Sequence, residues 1–278
     1  MKKKKNLTTI FLVLILIVGL SLLLYPTLSD YWNSFHSTKA IGSYSQDVSK
    51  LDNQEYDDML KKAREYNQHM FKNFRGFFLD EEHQKEYEEL LDVSGTGIMG
   101  YVEIPSIRCT LPIYHGTNET ILQTAIGHLE WTSLPVGGEN THSVISGHRG
   151  LPSAKLFTNL DRLVEGDIFV LKILDETLVY QVDKILIVEP EDTSALQIEE
   201  GKDLCTLVTC TPYGVNSHRL LVRGHRIDAT SDLRGVTLTS DAVQIDPNIV
   251  APIVALPILM FLLLRLFIPK GIRNRKWR

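Results

Sequence analysis

The sequence predicts a mostly β domain, a barrel or a sandwich, that follows a helical region and is flanked by two transmembrane helices. Three observations lead to this prediction. The second half of the chain consists of short β-rich runs separated by turn clusters such as Pro-Val-Gly-Gly-Glu-Asn at 135–140. The stretch before it is polar, with apolar residues at helical intervals. Each end of the chain carries a long apolar run beside a basic tail.

The N-terminal apolar run extends over 7–25 and follows the basic tail 1–6, which holds four consecutive lysines. Its length is close to the roughly 20 helical residues that cross a bilayer core. A cleavable signal peptide is the alternative, but the run is long for a signal core and no small-x-small cleavage site follows it. We therefore expect a retained transmembrane signal-anchor at 7–25.

The C-terminal apolar run occupies 249–268 and is interrupted by Arg265, which can reach the membrane interface. A basic tail at 269–278 follows, and a linker at 229–248 precedes it. Membrane helices tolerate the two prolines of this run, so we expect a second transmembrane helix there. Basic flanks place both tails in the cytoplasm, and the central region is then expected outside the cell.

The charge of the central region restricts its partners. The two basic ends hold ten of the 29 Lys and Arg residues and no acidic residue, which leaves 19 basic against 34 acidic residues, a net charge of −15. Nucleic acids bind basic protein surfaces, and this region is acidic, so a nucleic-acid partner is not expected.

The region 26–94 is expected to be extracellular and helical. Leu51, Tyr56, Leu60 and Tyr66 follow the helical period in a proline-free stretch. Two interpretations stay open, a solvated stalk and a packed helical subdomain.

The region 95–228 is expected to be the β domain, with one short helix at 151–163. The predicted strands cover 99–104, 143–146, 168–174, 177–188, 204–209 and 219–222.

Three cysteines, Cys109, Cys205 and Cys210, fall in this domain. An odd number cannot pair completely, so at least one thiol is expected to be free or to pair between molecules. A Cys109–Cys205 disulfide stays an open alternative. A free thiol outside the cell requires a reason, and catalysis is one.

Cys210 stands where one predicted strand ends, and Arg219 stands where the next begins. If the two strands pair, the guanidinium is within reach of the sulfur, where it favours the thiolate and can donate to an oxyanion. His148 ends another strand within Gly-His-Arg-Gly and is a candidate proton donor for a leaving amine. His225 is a weaker candidate because it follows the Arg219 strand rather than preceding the Cys210 strand. His218 is also weaker, because it is expected on the strand face opposite to that of Arg219.

Spacing excludes several other cysteine sites. A Cys-x5-Arg phosphate loop would need arginine where Asn216 or Thr211 stands. No Cys-x2-Cys or His-x3-His pair is present, so no metal site is expected. A papain-like enzyme would place its cysteine before its histidine, whereas His148 precedes Cys210 here.

The run Thr206-Leu207-Val208-Thr209-Cys210 resembles the Thr-Leu-x-Thr-Cys signature of sortases, with His148 upstream and Arg219 downstream in the family's order. The resemblance extends over about 95–227. Three further segments, together with the C-terminal apolar run, resemble the class C, pilus-assembling branch. These segments are Gly-Tyr-Val-Glu-Ile-Pro at 100–105, Leu-Pro-Ile-Tyr-His-Gly at 111–116 and Thr-Pro-Tyr-Gly-Val-Asn-Ser-His-Arg at 211–219.

The resemblance implies an eight-stranded β-barrel on a Gram-positive surface that cleaves a Leu-Pro-x-Thr-Gly sorting signal between Thr and Gly. It implies that Cys210 holds a thioacyl intermediate, that His148 is the general acid/base, and that Arg219 clamps substrate and donates to the oxyanion. The partners would be pilin proteins that carry the signal and supply a lysine amine, and no organic cofactor is needed. A cell-wall-anchoring enzyme acting on a peptidoglycan precursor and an inactive surface assembly factor are the alternatives.

Two further residues are candidates for substrate binding. Thr209 could donate to the sorting signal or orient Arg219, and His142 could line the groove. The resemblance fails at one feature, because class C enzymes usually carry an Asp-Pro-aromatic lid and no Asp-Pro precedes the β domain. The nearest segments are Phe-Phe-Leu-Asp, which ends at Asp80, and Ser-Asp-Tyr-Trp, which contains Asp30. We therefore expect a lidless or atypically lidded enzyme.

Overall fold

The computed structural model describes residues 2–73 and 79–228. The linker predicted at 229–248, the second transmembrane helix predicted at 249–268 and the tail at 269–278 lie outside the described residues. Of the described residues, those up to Tyr31 and those from Trp32 to Asp228 fall in two separate compact units.

The first helix, α1 (Lys2–Val48), begins the chain. Among the described helices, its part Thr9–Val48 is long and apolar enough to cross a membrane, judged by length and composition, and its most apolar window is not buried. A signal sequence near an N-terminus has the same character, so the retained anchor at 7–25 stays a prediction.

Helices α2 (Asn53–Asn73) and α3 (Glu81–Glu89) have polar caps that fix where they begin. Before α2, Asp52 accepts from the Glu55 backbone N–H at 2.8 Å, and the Glu55 side chain accepts from the Asp52 backbone N–H at 3.1 Å. This reciprocal pair satisfies two N–H groups that the helix cannot satisfy itself. At α3, the Asp80 carboxylate accepts from the His83 backbone N–H at 2.9 Å.

Helix α2 packs on the β domain. Leu60, Ala63, Tyr66 and Met70 are spaced by three or four residues, and all four are buried in the same hydrophobic core as the strands. Asn67 adds a polar contact, since its side chain donates to the Leu134 carbonyl and accepts from the Leu134 N–H. The helical region is therefore a packed subdomain at α2, and the stalk interpretation does not hold there.

The β domain is a closed eight-stranded barrel with the strand order β1-β2-β3-β4-β7-β8-β6-β5, which confirms the predicted barrel. The β2–β3 and β4–β7 pairs are parallel, and the other pairs are antiparallel. The short helix α4 (Glu119–Leu122) lies between β2 and β3. The strands are β1 (Ile98–Ile104), β2 (Cys109–His115), β3 (Ile126–His128), β4 (Thr141–Ser146), β5 (Ile168–Ile173), β6 (Glu176–Val188), β7 (Asp203–Thr211) and β8 (His218–Ile227).

Two parts of the sequence prediction for this domain were wrong. Strands β2 and β3 were not predicted, because β2 contains Pro112 and β3 has three residues. The helix predicted at 151–163 is instead a series of turns with one 3₁₀ turn at Leu160–Arg162. Leu156 adopts a positive φ of 39°, which breaks the helical path.

The two faces of β7 pack against different groups of residues, and this arrangement determines where the site lies. Cys205 and Leu207 point into the main core of the barrel. The alternate residue Val208 belongs to a second, smaller cluster on the other face of the strand. We call this the outer cluster; its buried members are Val144, Leu196, Val208 and Leu221.

One buried histidine gives the fold a pH dependence. His128 is fully buried, with Nε2 2.8 Å from the Ser133 carbonyl oxygen and Nδ1 3.0 Å from the Tyr87 hydroxyl. Desolvation lowers the pKa of His128 to about 3. In the unfolded chain the histidine has its ordinary pKa of about 6.5. At pH values between these two pKa values, the imidazole therefore binds a proton in the unfolded chain but not in the folded chain. Stability should fall as the pH drops through that window.

We expect the free energy of unfolding to be about 2 kcal/mol lower at pH 5 than at pH 7 through His128 alone. Chemical denaturation at the two pH values, followed by tryptophan fluorescence, measures the difference. In His128→Gln, which retains a donor for Ser133, the difference between the two pH values should shrink by that amount. An unchanged difference in this variant would contradict the assignment.

Candidate active site

The register of two strands places Cys210 and Arg219 directly opposite each other. Cys210 of β7 pairs with Arg219 of the antiparallel strand β8, two residues beyond the pair Val208 and Leu221. Directly paired residues project from the same face of a sheet. The thiol and the guanidinium are therefore neighbours on the face that carries the outer cluster.

His148 extends the same row on the other side of β7. The parallel register between β4 and β7 ends at the pair Ser146 and Val208, and the Gly147 N–H still donates to the Val208 carbonyl at 3.0 Å. Continued by two residues, this register would bring His148 opposite Cys210. Adjacent strands lie about 4.8 Å apart, so His148, Cys210 and Arg219, which we call the row, would then stand on three neighbouring chain segments.

His148, Cys210 and Arg219 are each partly exposed, so a substrate can reach them. The His148 side chain is 28% exposed, and its Nε2 lies 3.8 Å from a carboxylate oxygen of Glu119 on α4. Arg219 donates from Nη1 to the carbonyls of His218 at 3.2 Å and Asn216 at 3.4 Å.

The other two thiols are unsuited to nucleophilic attack. All three cysteines are free, so Cys109 and Cys205 form no disulfide. Burial raises the pKa of Cys109 to about 12, and its sulfur lies 3.8 Å from the Leu156 carbonyl oxygen. Burial in the barrel core raises the pKa of Cys205 well above its ordinary value. Both thiols therefore stay protonated at neutral pH, and a protonated thiol is a poor nucleophile.

Comparison with known proteins identifies the family. The family model for the sortase domain matches residues 102–227. The crystal structure of sortase C1 from Streptococcus agalactiae superposes with a TM-score of 0.67 at 51% identity, covering 68% of this chain and 98% of that one. The chain belongs to the sortase family. Sortases are cysteine transpeptidases, and this sortase has class C enzymes as its structural neighbours.

Two further solved structures agree with this membership. Sortase C from Clostridium perfringens, solved with its C-terminal cell wall sorting motif, matches at 44% identity with a TM-score of 0.61, covering 69% of this chain and 99% of that one. Sortase C from Streptococcus pneumoniae matches at 47% identity with a TM-score of 0.62, covering 68% and 97%.

Curated relatives match over a shorter part. Sortase D from Bacillus subtilis is 32% identical over 131 residues, which is 46% of this chain and 63% of that protein. Sortase A from Streptococcus agalactiae is matched over 47% of its length. The chain thus spans about half to two thirds of these relatives.

The two predicted substrate-binding residues of this sortase make hydrogen bonds inside the protein. Thr209 is buried, and its hydroxyl donates to the Gly147 carbonyl at 2.8 Å. His142 is buried, with Nδ1 2.8 Å from the Gln197 carbonyl oxygen and Nε2 2.7 Å from the Thr206 hydroxyl. These contacts tie β7 to its neighbouring segments, while direct contact with substrate stays a prediction for both residues.

The described residues of one lid candidate directly precede a helix, and those of the other lie within one. Asp80 is exposed and caps α3, and its carboxylate oxygen lies 2.7 Å from Nδ1 of the His83 ring. Tyr31 and Trp32 belong to α1 and are 73% and 64% exposed. Phe77 and Phe78 lie outside the described residues.

The sequence interpretation missed three features of the site. It missed the outer cluster, which strand alternation along 204–210 could have revealed. It missed Glu119, which no sequence signal connects to His148. It also missed the packing role of Gly147, where a Cβ would lie 2.6 Å from Ile126 and 2.8 Å from Phe157. Gly147 is therefore required for packing.

The arrangement supplies the groups that acyl transfer needs and contains no evident metal site. A thiol, a guanidinium and an imidazole stand on neighbouring chain segments beside the outer cluster and the partly buried apolar residues packed on it. Across residues 2–73 and 79–228, no group of three or more His, Cys, Asp or Glu side chains is placed to hold a metal ion.

Proposed function

We propose that this sortase cleaves a Leu-Pro-x-Thr-Gly sorting signal between Thr and Gly and transfers the new acyl group to a lysine amine of a pilin, so that pilins are polymerised. The observation that carries the proposal is the direct pairing of Cys210 with Arg219 beside the outer cluster, with His148 two residues beyond the last paired residue of β4. It is supported by the burial of the other two thiols.

In the first half-reaction, the Cys210 thiolate attacks the carbonyl carbon of the signal's Thr, and the carbonyl oxygen becomes an oxyanion. Arg219 donates hydrogen bonds to that oxyanion. As the tetrahedral intermediate collapses, the C–N bond breaks and His148 gives its proton to the departing Gly amine. The products are a thioester on Cys210 and a peptide that begins with Gly.

In the second half-reaction, a neutral lysine amine attacks the thioester carbonyl, and Arg219 stabilises the second oxyanion. His148 removes the proton that the attacking nitrogen loses, and the C–S bond breaks to release Cys210 as a thiolate. The result is an isopeptide bond between Thr and lysine. The imidazolium and the thiolate are restored, so no cofactor is consumed.

The relatives support the proposed substrate. The Clostridium perfringens enzyme was solved with a cell wall sorting motif, and the Streptococcus pneumoniae structure is described in terms of pilin substrate specificity. In this chain, Val208 and Leu221 lie directly before the row. We propose that the partly buried apolar residues packed against the outer cluster, among them Trp131, Leu186 and Val188, receive the apolar residues of the signal.

We also propose the placement of the chain in the cell. Residues 7–25 would anchor it in the membrane, the run at 249–268 would cross a second time, and both basic tails would be cytoplasmic. The long apolar helix near the N-terminus and the basic residues beside both runs support this topology. The catalytic domain at 95–228 would then face outside.

The test uses the full chain in detergent micelles with a Leu-Pro-x-Thr-Gly peptide and two competing amines, a lysine side-chain amine and a peptidoglycan precursor. Mass spectrometry should find the Thr carbonyl joined to the lysine amine and a released peptide that begins with Gly. A peptide with the Leu and Pro positions exchanged should give no product, because the proposed apolar surface reads these positions.

Other products would assign other functions. Joining to the precursor amine alone would indicate a wall-anchoring enzyme. The complete absence of cleavage and of an acyl-enzyme would contradict the transpeptidase proposal and indicate an inactive assembly factor.

A further inference from the structure

His148 lies beyond the regular hydrogen-bonded ladder that holds Cys210. The β4–β7 pairing ends at Ser146, and the segment 147–150 is not a strand. The backbone carbonyl of His148 accepts from the Phe157 N–H at 3.1 Å, which ties it to the loop that follows rather than to β7. The distance between the imidazole and the thiol therefore depends on side chains that join the two segments.

Two such connections flank the His148–Cys210 pair. The first joins the residues that precede Cys210 and His148, because Thr209 donates to the Gly147 carbonyl at 2.8 Å. The second joins the residues that follow them, because Arg149 Nη1 donates to the Thr211 hydroxyl at 3.4 Å. Residues 209 and 211 alternate with Cys210 along β7, so both connections lie on the side of the strand opposite the catalytic row.

Arg149 is held far more extensively than its long bond to Thr211 suggests. Its side chain is 8% exposed, and Nη2 forms an ion pair with Asp161. Its guanidinium carbon lies 5.8 Å from the centre of the Tyr213 ring, in the loop that joins Cys210 to Arg219. A planar guanidinium can stack on a ring and donate in two directions at once, which a lysine ammonium cannot do.

Gly150 allows this loop to come close. Its φ is +77°, and a Cβ at this position would lie 3.1 Å from the Tyr213 ring. The Gly150 N–H donates to the Thr158 hydroxyl at 3.1 Å, which fixes the turn. The Tyr213 ring thus packs on Gly150 while Arg149 lies beside the ring.

We propose that Arg149 is a positioning residue that sets the separation and relative orientation of His148 and Cys210. It acts by joining the His148 loop to the segment 211–213 and to Asp161. The proposal deepens the transpeptidase function and rests on it, since it assigns Arg149 a role through the two residues that handle the acyl group and its proton. Arg149 itself does not touch the reacting atoms.

The chain contains a matched control in Arg226. It follows a second Gly-His sequence, and its guanidinium carbon likewise lies 5.8 Å from a tyrosine ring, that of Tyr180. It also donates to a backbone carbonyl, that of Thr177, at 3.3 Å. Arg226 is seven residues from Arg219 on β8, about 23 Å along the strand, so its removal perturbs packing without reaching the row.

The experiment compares Arg149→Met, Arg149→Lys and Arg226→Met in the full chain, with thermal unfolding measured for each. Arg149→Met should lower kcat about 10²-fold with little change in KM, because a misplacement of about 1 Å between reacting groups has that effect. Arg149→Lys should recover a minor part of the loss. Arg226→Met should keep the wild-type kcat even if its melting temperature falls as much as that of Arg149→Met.

A second readout needs no substrate. The rate at which iodoacetamide alkylates Cys210, followed by peptide mapping across pH, reports the coupling between Cys210 and His148. Glu119 and Arg219 also face this pair and stay unchanged in the variants. Arg149→Met should displace the pH profile of alkylation, and Arg226→Met should leave it in place.

The two readouts separate the proposals. If wild type transfers no acyl group but the alkylation profile moves in Arg149→Met, the transpeptidase function fails and the positioning role stands. If Arg149→Met does not fold, Arg149→Lys decides through the same profile and kcat. Wild-type kcat and an unmoved alkylation profile in the folded Arg149 variants would overturn the positioning role.

Discussion

Cys210→Ala should abolish acyl transfer, with kcat falling at least about 10⁴-fold. The reason is that the thioester can form on no other atom of the row, and removing a catalytic nucleophile eliminates nearly all of the rate enhancement of such an enzyme. The measurement is the yield of Thr–lysine isopeptide from the full chain, together with the mass of the intact protein. Wild type trapped without an amine should carry the acyl group, and the variant should not.

The matched control is Cys109→Ala. The Cys109 thiol contacts the Leu156 carbonyl, and its pKa is raised to about 12 by burial, so it is not expected to be a thiolate near neutral pH. This variant should therefore keep the wild-type yield and the wild-type acyl-enzyme mass. Equal product yields from wild type and Cys210→Ala would refute the assignment of the nucleophile.

The pairing of Cys210 with Arg219 could be predicted from sequence because it depends on local patterns. The β-rich runs before Cys210 and after Arg219, joined by a short polar loop, predict an antiparallel pair, and the pair is found with these two residues opposite each other. His148 followed from its place at the end of a third run. The parallel contact between β4 and β7 required the resemblance to a known family, because the two strands are about 60 residues apart in the chain.

The parts that sequence could not predict depend on tertiary contacts. The apolar residues at 151–163 follow a helical spacing, yet they are buried because turns bring them against the barrel, with Leu156 at positive φ. The three-residue strand β3 is too short to carry a pattern of its own. Thr209 looks like an ordinary strand residue, and its bond to Gly147 appears only once β4 and β7 are paired.

Replacing Arg219 should have the second largest effect. Arg219→Ala should lower kcat/KM between about 10² and 10³-fold, because the loss of a single oxyanion donor has an effect of that size. Arg219→Lys should recover little of this loss, because an ammonium lacks the planar fork that can donate to an oxyanion while another nitrogen holds the loop carbonyls of Asn216 and His218. Steady-state transpeptidation by both variants measures the effect.

The control residue is Arg223, which lies four positions further along the same strand and face. Arg223 donates to both carboxylate oxygens of Asp183, at 3.0 and 2.8 Å, and also pairs with Glu199. Arg223→Lys removes the same planar fork from a position next to Thr206 rather than Cys210, so its kcat/KM should stay near wild type. If Arg219→Lys and Arg223→Lys were equally active, Arg219 would act on the strand's stability and charge alone, and the oxyanion would need another donor.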